Sequence, residues 1–197
     1  MPAGGDRLSA RLLTDGVALQ DDYVSAAAVR ELKRCAERRR RRGEFGAARV
    51  GGERSLRREG IRGDMTCWLG EPLFAAERAL LRKFEQLRLE VNREGSLGLF
   101  DLELHYAWYA PGTGYARHAD QLDGSNERVV TLILYLNETW HAGAGGELRV
   151  FAADARYRDI EPIAGRLVCF LAAGREHEVL ATREGRWSLS GWLRRRP

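Results

Sequence analysis

Two kinds of hydrophobic spacing divide the chain. Up to about residue 98 the apolar positions recur at helical intervals. Val29, Leu32 and Cys35/Ala36 fall on one face of a stretch from Ser25 to Arg42. Ser25 can cap its start, Gly43 is placed to stop it, and arginines near its end suit the helix macrodipole. Leu73, Leu80, Phe84, Leu87 and Val91 make a second stripe, which predicts a helix from Pro72, in the first turn, to about Asn92. Between the two, Met65 to Leu69 reads as a short strand. Residues 43–63, rich in Gly and Arg and without apolar period, read as a long loop of the kind that is functional or disordered.

From residue 99 the period changes. LELHYAWYA (102–110), VVTLILYL (129–136), GELRVF (146–151), GRLVCFLA (165–172) and RWSLSGWL (186–193) are rich in β-branched and aromatic residues and separated by Gly, Asp and Asn. Such spacing predicts an antiparallel sandwich or barrel. Several runs are apolar at both parities, as in strands buried between two layers. The expected fold is α+β, mostly β. Helices and loop over about 1–98 pack on one outer face of a β core over about 99–193, within a single domain of 197 residues.

Composition narrows the class. Hydrophobic residues at 44% and charged residues at 30% describe a globular chain rather than a disordered one. No apolar run approaches the roughly 20 residues of a spanning helix. The opening MPAGGDRLSARLLTDG lacks the apolar centre of a secretory leader, so none is expected. The three cysteines, Cys35, Cys67 and Cys169, are scattered, which argues against a disulfide framework or zinc site and for a reducing, cytoplasmic setting. The net charge is +4, yet residues 30–62 alone count to +8, with Arg38 to Arg42 as a continuous run. A uniformly basic nucleic-acid binder is excluded, and one basic segment is left to explain.

The candidate chemistry lies in the β region. His118 and Asp120 form an H-x-D, which on extended backbone points both side chains to one face. A third ligand from a distant strand would complete a facial triad of two His and one carboxylate, the set suited to Fe(II) and oxygen chemistry. An H-x-D alone arises often by chance. His177 supplies a candidate third ligand. Arg186 follows nine residues later, and a turn-like stretch at 181–185 predicts a hairpin that sets His177 and Arg186 on neighbouring strands. Arg186, Ser188, Ser190 and Trp192 share one strand face, an odd set for a core and a fitting one for a pocket that receives an anion.

These residues resemble the iron(II)- and 2-oxoglutarate-dependent dioxygenases, within them the branch of the hypoxia-inducible-factor prolyl hydroxylases and their bacterial relatives. IRGDMTCWL (61–69), YAPGTGYARHAD (109–120), RVVTLILYLNETW (128–140), GGELRVF (145–151), DIEP (159–162) and HEV with Arg186 and Trp192 carry the resemblance. It implies a double-stranded β-helix, or jelly roll. It implies that His118, Asp120 and His177 ligate Fe(II) and form the catalytic centre. Arg186 and Tyr135 would hold the distal carboxylate of 2-oxoglutarate, with Tyr109, Ile133, Leu148 and Ser190 lining that pocket. Tyr115, Arg128, Trp192 and Asp64 would stand at the peptide substrate, Asp64 and Arg128 as an ion pair. The basic loop at 43–60 falls where the family has a mobile finger over the substrate.

The implied activity is 4-hydroxylation of a prolyl residue in a cytosolic protein, for example elongation factor Tu, by a monomer using O2, with ascorbate as reductant. No membrane association is implied. Two other readings remain at this stage: a nucleic-acid demethylase of the same superfamily, and a non-enzymatic jelly-roll binding module. Cys67 and Cys169 are expected as small core residues, His105 as a buried or pocket-edge residue, and His141 as solvated.

Overall fold

A computed structural model describes residues 7–48, 62–121 and 127–196. Three helices, α1 (Leu8–Asp15), α2 (Ala26–Arg41) and α3 (Ala75–Gly95), alternate with or precede eleven strands among these residues. The strands are β1 (Val17–Gln20), β2 (Gly46–Ala47), β3 (Asp64–Trp68), β4 (Leu99–Tyr109), β5 (Tyr115–His118), β6 (Arg128–Tyr135), β7 (Leu148–Phe151), β8 (Tyr157–Ile160), β9 (Leu167–Leu171), β10 (His177–Val179) and β11 (Arg186–Arg195). They form two antiparallel sheets, a larger one in the order β1-β9-β6-β11-β4-β3-β2 and a smaller one in the order β5-β10-β7-β8. The jelly-roll expectation is met. The helical stretch of 25–42 is met almost to the residue, with Ser25 accepting from the Ala28 N–H. The second helix begins at Ala75 rather than Pro72, because Pro72 lies ahead of the cap and gives its carbonyl to Arg39 instead. No described helix is long and apolar enough to cross a membrane.

Strand parity divides the interior in two. Val130, Leu132 and Leu134 on one face of β6, with Leu136 just past its end, join Leu104, Tyr106, Leu189 and Leu193 in a core shared with Leu12, Leu32, Leu80, Phe84 and Val91 of the helices. The alternate residues, Ile133 and Tyr135 with Tyr109 of β4 and Phe170 of β9, meet Leu148 and Val150 of the smaller sheet. The helices therefore support the larger sheet from outside, and the chemistry-bearing parity faces the second sheet. Gly191 permits the β11–β4 approach, since a Cβ there would lie 2.0 Å from the Glu103 carbonyl oxygen.

One ion pair ties the helices to the start of the basic segment. Arg39 donates from Nε and Nη2 to both oxygens of Glu77, each at 2.8 Å, and from Nη1 to Glu44 at 2.7 Å. Glu77 is fully buried and also accepts from the Phe74 N–H at 2.8 Å, capping α3. Breaking such a pair strands a buried charge. Glu77→Ala is expected to lower unfolding free energy by about 3 kcal/mol or more. Denaturant titration of the variant against wild type measures it, and a loss below about 1 kcal/mol would contradict this account.

Candidate active site

His177 opens β10 directly opposite His118, the last residue of β5. This pairing brings two distant histidines to a ring-centroid separation of 4.2 Å. Asp120 lies just beyond β5, with its oxygens 3.8 Å from Nε2 of His118 and 3.7 Å from Nε2 of His177. The ligand atoms of all three residues lie within 4.8 Å of one another. In the tautomer protonated at Nδ1, His118 donates to the Ala116 carbonyl (2.9 Å) and His177 to the Arg175 carbonyl (3.2 Å). That leaves both Nε2 lone pairs on the Asp120 side, the usual way backbone acceptors orient metal-binding imidazoles. Burial, with His177 alongside, pushes the His118 imidazole down to about 4, so it is neutral and ready to coordinate. Burial pulls Asp120 the other way, but His177 and the Thr131 hydroxyl hold its carboxyl below the ordinary value. The Thr131 Oγ1 donates to Asp120 Oδ2 at 2.6 Å. Two imidazoles and a carboxylate are the donor set that suits Fe(II).

Arg186 faces the same cavity from the other sheet. It is 3% exposed and its Nε donates to the Gly146 carbonyl at 2.8 Å. Its guanidinium sits over the rings of Tyr109 and Tyr135, 4.9 and 5.1 Å from their centroids. Among the described residues no carboxylate pairs with it. Beside it the fully buried Tyr135 hydroxyl has no hydrogen-bond partner, and burial pushes its phenol up, keeping it a donor. A buried unpaired cation and an orphaned hydroxyl are costly together unless a ligand completes them. Gly146 allows the approach: its φ is +78°, and a Cβ would meet Arg186 Cδ at 2.9 Å. Ile133, Leu148 and Ser190 line the same cavity, whose volume is about 950 Å³.

The sequence matches the 2OG-Fe(II) oxygenase superfamily over residues 104–194. Across the wider chain, a Pseudomonas putida prolyl-4-hydroxylase is 40% identical, with a TM-score of 0.89, covering 96% of this chain and 98% of that one. The chain belongs to the 2OG-Fe(II) oxygenase superfamily. Human Egl nine homolog 1 is 29% identical to this oxygenase over 187 residues, 90% of the chain. The oxygenase spans only 43% of that relative's length. A Trichoplax adhaerens prolyl hydroxylase in complex with a hypoxia inducible factor peptide fragment shares the fold, at 24% identity and a TM-score of 0.86. Members of the superfamily use Fe(II), 2-oxoglutarate and O2. The triad fits the metal, and the Arg186–Tyr135 corner fits a dicarboxylate.

Two expectations about this oxygenase are corrected. His177 and Arg186 are not on a hairpin: β10 pairs with β5 and β7, while β11 lies between β4 and β6 in the other sheet. Both residues line the cavity between the two sheets. Asp64 does not pair with Arg128. The order β6-β11-β4-β3 sets three inter-strand gaps of about 4.8 Å between their strands. Asp64 instead takes Arg62, two residues away, at 2.7 and 3.0 Å. Arg128 donates to Glu103 at 3.0 Å and lies 3.5 Å over the Trp192 ring.

Tyr115 stacks on His118 at 3.6 Å between ring centroids, and the Arg62 guanidinium lies 4.7 Å from the Tyr115 centroid. His105 is buried at the cavity wall, His141 is exposed against Glu184, and Cys67 and Cys169 are buried free thiols, as expected. Residues 49–60 of the anticipated finger lie outside the described residues. Three participants escaped the sequence reading: Thr131 as the partner of Asp120, Arg62 as the partner of Asp64, and Trp68, half exposed on the cavity rim. Nothing in a linear sequence couples Thr131 to a residue eleven positions earlier.

Proposed function

We propose that this oxygenase is a protein prolyl 4-hydroxylase, coupling oxidative decarboxylation of 2-oxoglutarate to hydroxylation of C4 of a prolyl residue. The observation that carries this reading is that the metal triad and Arg186 line one cavity, with the unpartnered Tyr135 hydroxyl buried behind Arg186. His118, Asp120 and His177 are the residues that would hold Fe(II). When bound, Fe(II) with 2-oxoglutarate and O2 supplies the oxidising chemistry, releasing succinate and CO2 and placing one oxygen atom in a substrate C–H bond.

The chain's own residues set the stage for that chemistry. Arg186 forms a charge-assisted pair with the distal carboxylate of 2-oxoglutarate, and Tyr135 donates its hydroxyl to the same group. Tyr109, Ile133, Leu148 and Ser190 wall the pocket, the apolar pair excluding water from the reacting end. Thr131 holds the second oxygen of Asp120 and so fixes the carboxylate's orientation. Tyr115, Arg128, Trp192 and Asp64 border the peptide channel, Asp64 through its hold on Arg62.

The prolyl assignment draws on the 40% identity with the Pseudomonas prolyl-4-hydroxylase. The substrate is a cytosolic protein, with elongation factor Tu the named candidate, the enzyme acts as a monomer, and ascorbate serves as external reductant. Mass spectrometry of cell extract treated with Fe(II)-loaded enzyme and 2-oxoglutarate tests this. Oxygen addition on a prolyl residue is the expected result. Succinate formation with no modified proline would overturn the prolyl reading, and modified nucleobases in its place would favour the demethylase reading.

A further inference from the structure

The rim of the cleft carries an aromatic assembly in which Trp68 and His105 have no role in the reading so far. Trp68 on β3 lies across from His105 on β4, and Trp192 comes from β11 on the far side. The His105 ring is 4.8 Å from Trp68 and 5.5 Å from Trp192, and the two indoles are 6.2 Å apart. Arg128 closes the far end of the stack over Trp192. All four residues line the cavity that holds the metal triad. Trp68 is 51% exposed, a large apolar surface kept in water at the mouth of a cleft. His105 is 2% exposed, and its Nδ1 has no hydrogen-bond partner.

Charge around the wall is mixed. Arg62 and Arg128 line this part of the cleft together with Glu71, Glu103 and Glu127. Neither a cationic nor an anionic side chain is favoured at the wall. Discrimination therefore falls to apolar contact and hydrogen bonding. Burial, with Arg62 and Arg128 nearby, pushes His105 down to about 3, so the imidazole is neutral and has one donor and one acceptor nitrogen to offer.

We propose that Trp68 and His105 are the specificity-determining wall of the peptide channel: the exposed indole face of Trp68 packs an apolar side chain next to the target residue, and the unpartnered ring nitrogen of His105 hydrogen-bonds the peptide backbone there. This rests on the reading of the cleft as a peptide channel. Burying a leucine- or phenylalanine-sized side chain on such a face corresponds to roughly a tenfold to hundredfold preference over alanine. The imidazole selects no side chain, so its contribution falls equally on every peptide.

Fluorescein-labelled peptides with one central proline, and alanine, leucine, phenylalanine, lysine or glutamate in turn at each flanking position, test the wall in two ways. Anisotropy against protein loaded with Mn(II) and 2-oxoglutarate reads binding, and mass spectrometry with Fe(II) and O2 reads hydroxylation. Wild type is expected to prefer leucine or phenylalanine over alanine by tenfold or more at one flanking position. Trp68→Ala should reduce that ratio below about threefold, and Trp68→Phe should restore most of it. His105→Phe, which keeps the stack and removes the nitrogens, should raise KM about fivefold for all peptides with kcat little changed, and His105→Asn should recover part of the loss. Apolar selectivity in binding without any hydroxylation would keep the wall and sink the prolyl reading. No apolar preference in either readout, or the same preference in Trp68→Ala, would overturn the wall.

Discussion

Asp120→Ala and His177→Ala should each abolish 2-oxoglutarate turnover, because each removes one of three ligand atoms that converge within 4.8 Å. Losing residues that merely orient metal ligands weakens metal binding or activity by about 10- to 100-fold, so losing a ligand itself should exceed that. The two variants also differ in a useful way. Asp120→Ala removes the only carboxylate of the cluster and leaves the Thr131 hydroxyl without its partner. His177→Ala removes a ring packed on His118 and Phe170 and opens a void between the sheets. Asp120→Ala should therefore be the better folded of the two. Succinate formation, Mn(II) titration followed by electron paramagnetic resonance, and thermal melting would be measured on both. Succinate formation within tenfold of wild type in either variant would exclude these residues as the metal ligands.

Arg186→Ala should act on the cosubstrate rather than on the metal. Truncating one partner of a buried charge pair costs about 2–5 kcal/mol, a rise of roughly 30- to 3,000-fold in KM for 2-oxoglutarate. Much of that is the cost of leaving the ligand's carboxylate buried without a cation. Arg186→Lys keeps the charge but not the planar fork, and its effect should be intermediate. Tyr135→Phe should raise the same KM by a smaller factor, because it removes one hydrogen bond and leaves the carboxylate its cation. Mn(II) affinity is the discriminating control: a large loss of it in Arg186→Ala would mean that the arginine holds the fold of the site and not the cosubstrate.

Much of this was legible in the sequence because period and chemistry coincide there. On β6 the same alternation that buries Leu132 and Leu134 under the helices turns Thr131, Ile133 and Tyr135 toward the smaller sheet. On β11 the alternation exposes Arg186, Ser190 and Trp192 to the cavity, an assignment a hydrophobic count alone would miss. What stayed hidden was pairing between sheets. The nine-residue interval from His177 to Arg186 fits a hairpin as well as it fits a crossing from one sheet to the other, and local turn chemistry cannot separate the two. Short elements were hidden for another reason. The Tyr157–Ile160 strand lies at a sheet edge with three exposed residues, so it carries no alternation to read. The Leu8–Asp15 helix has few buried residues and no side-chain cap at Arg7.

The larger sheet, with one face on the helices and the other on the cavity, separates two selective pressures along a single strand. Thr131 and Ile133 of β6 answer to the ligand and Val130, Leu132 and Leu134 to the helical core, so neighbouring residues meet unrelated physical demands. Stability can then be gained or lost on the helical side without retuning the chemistry, and the cavity can be reshaped for a new substrate without dismantling its support. A scaffold partitioned in this way is open to functional divergence at little structural risk.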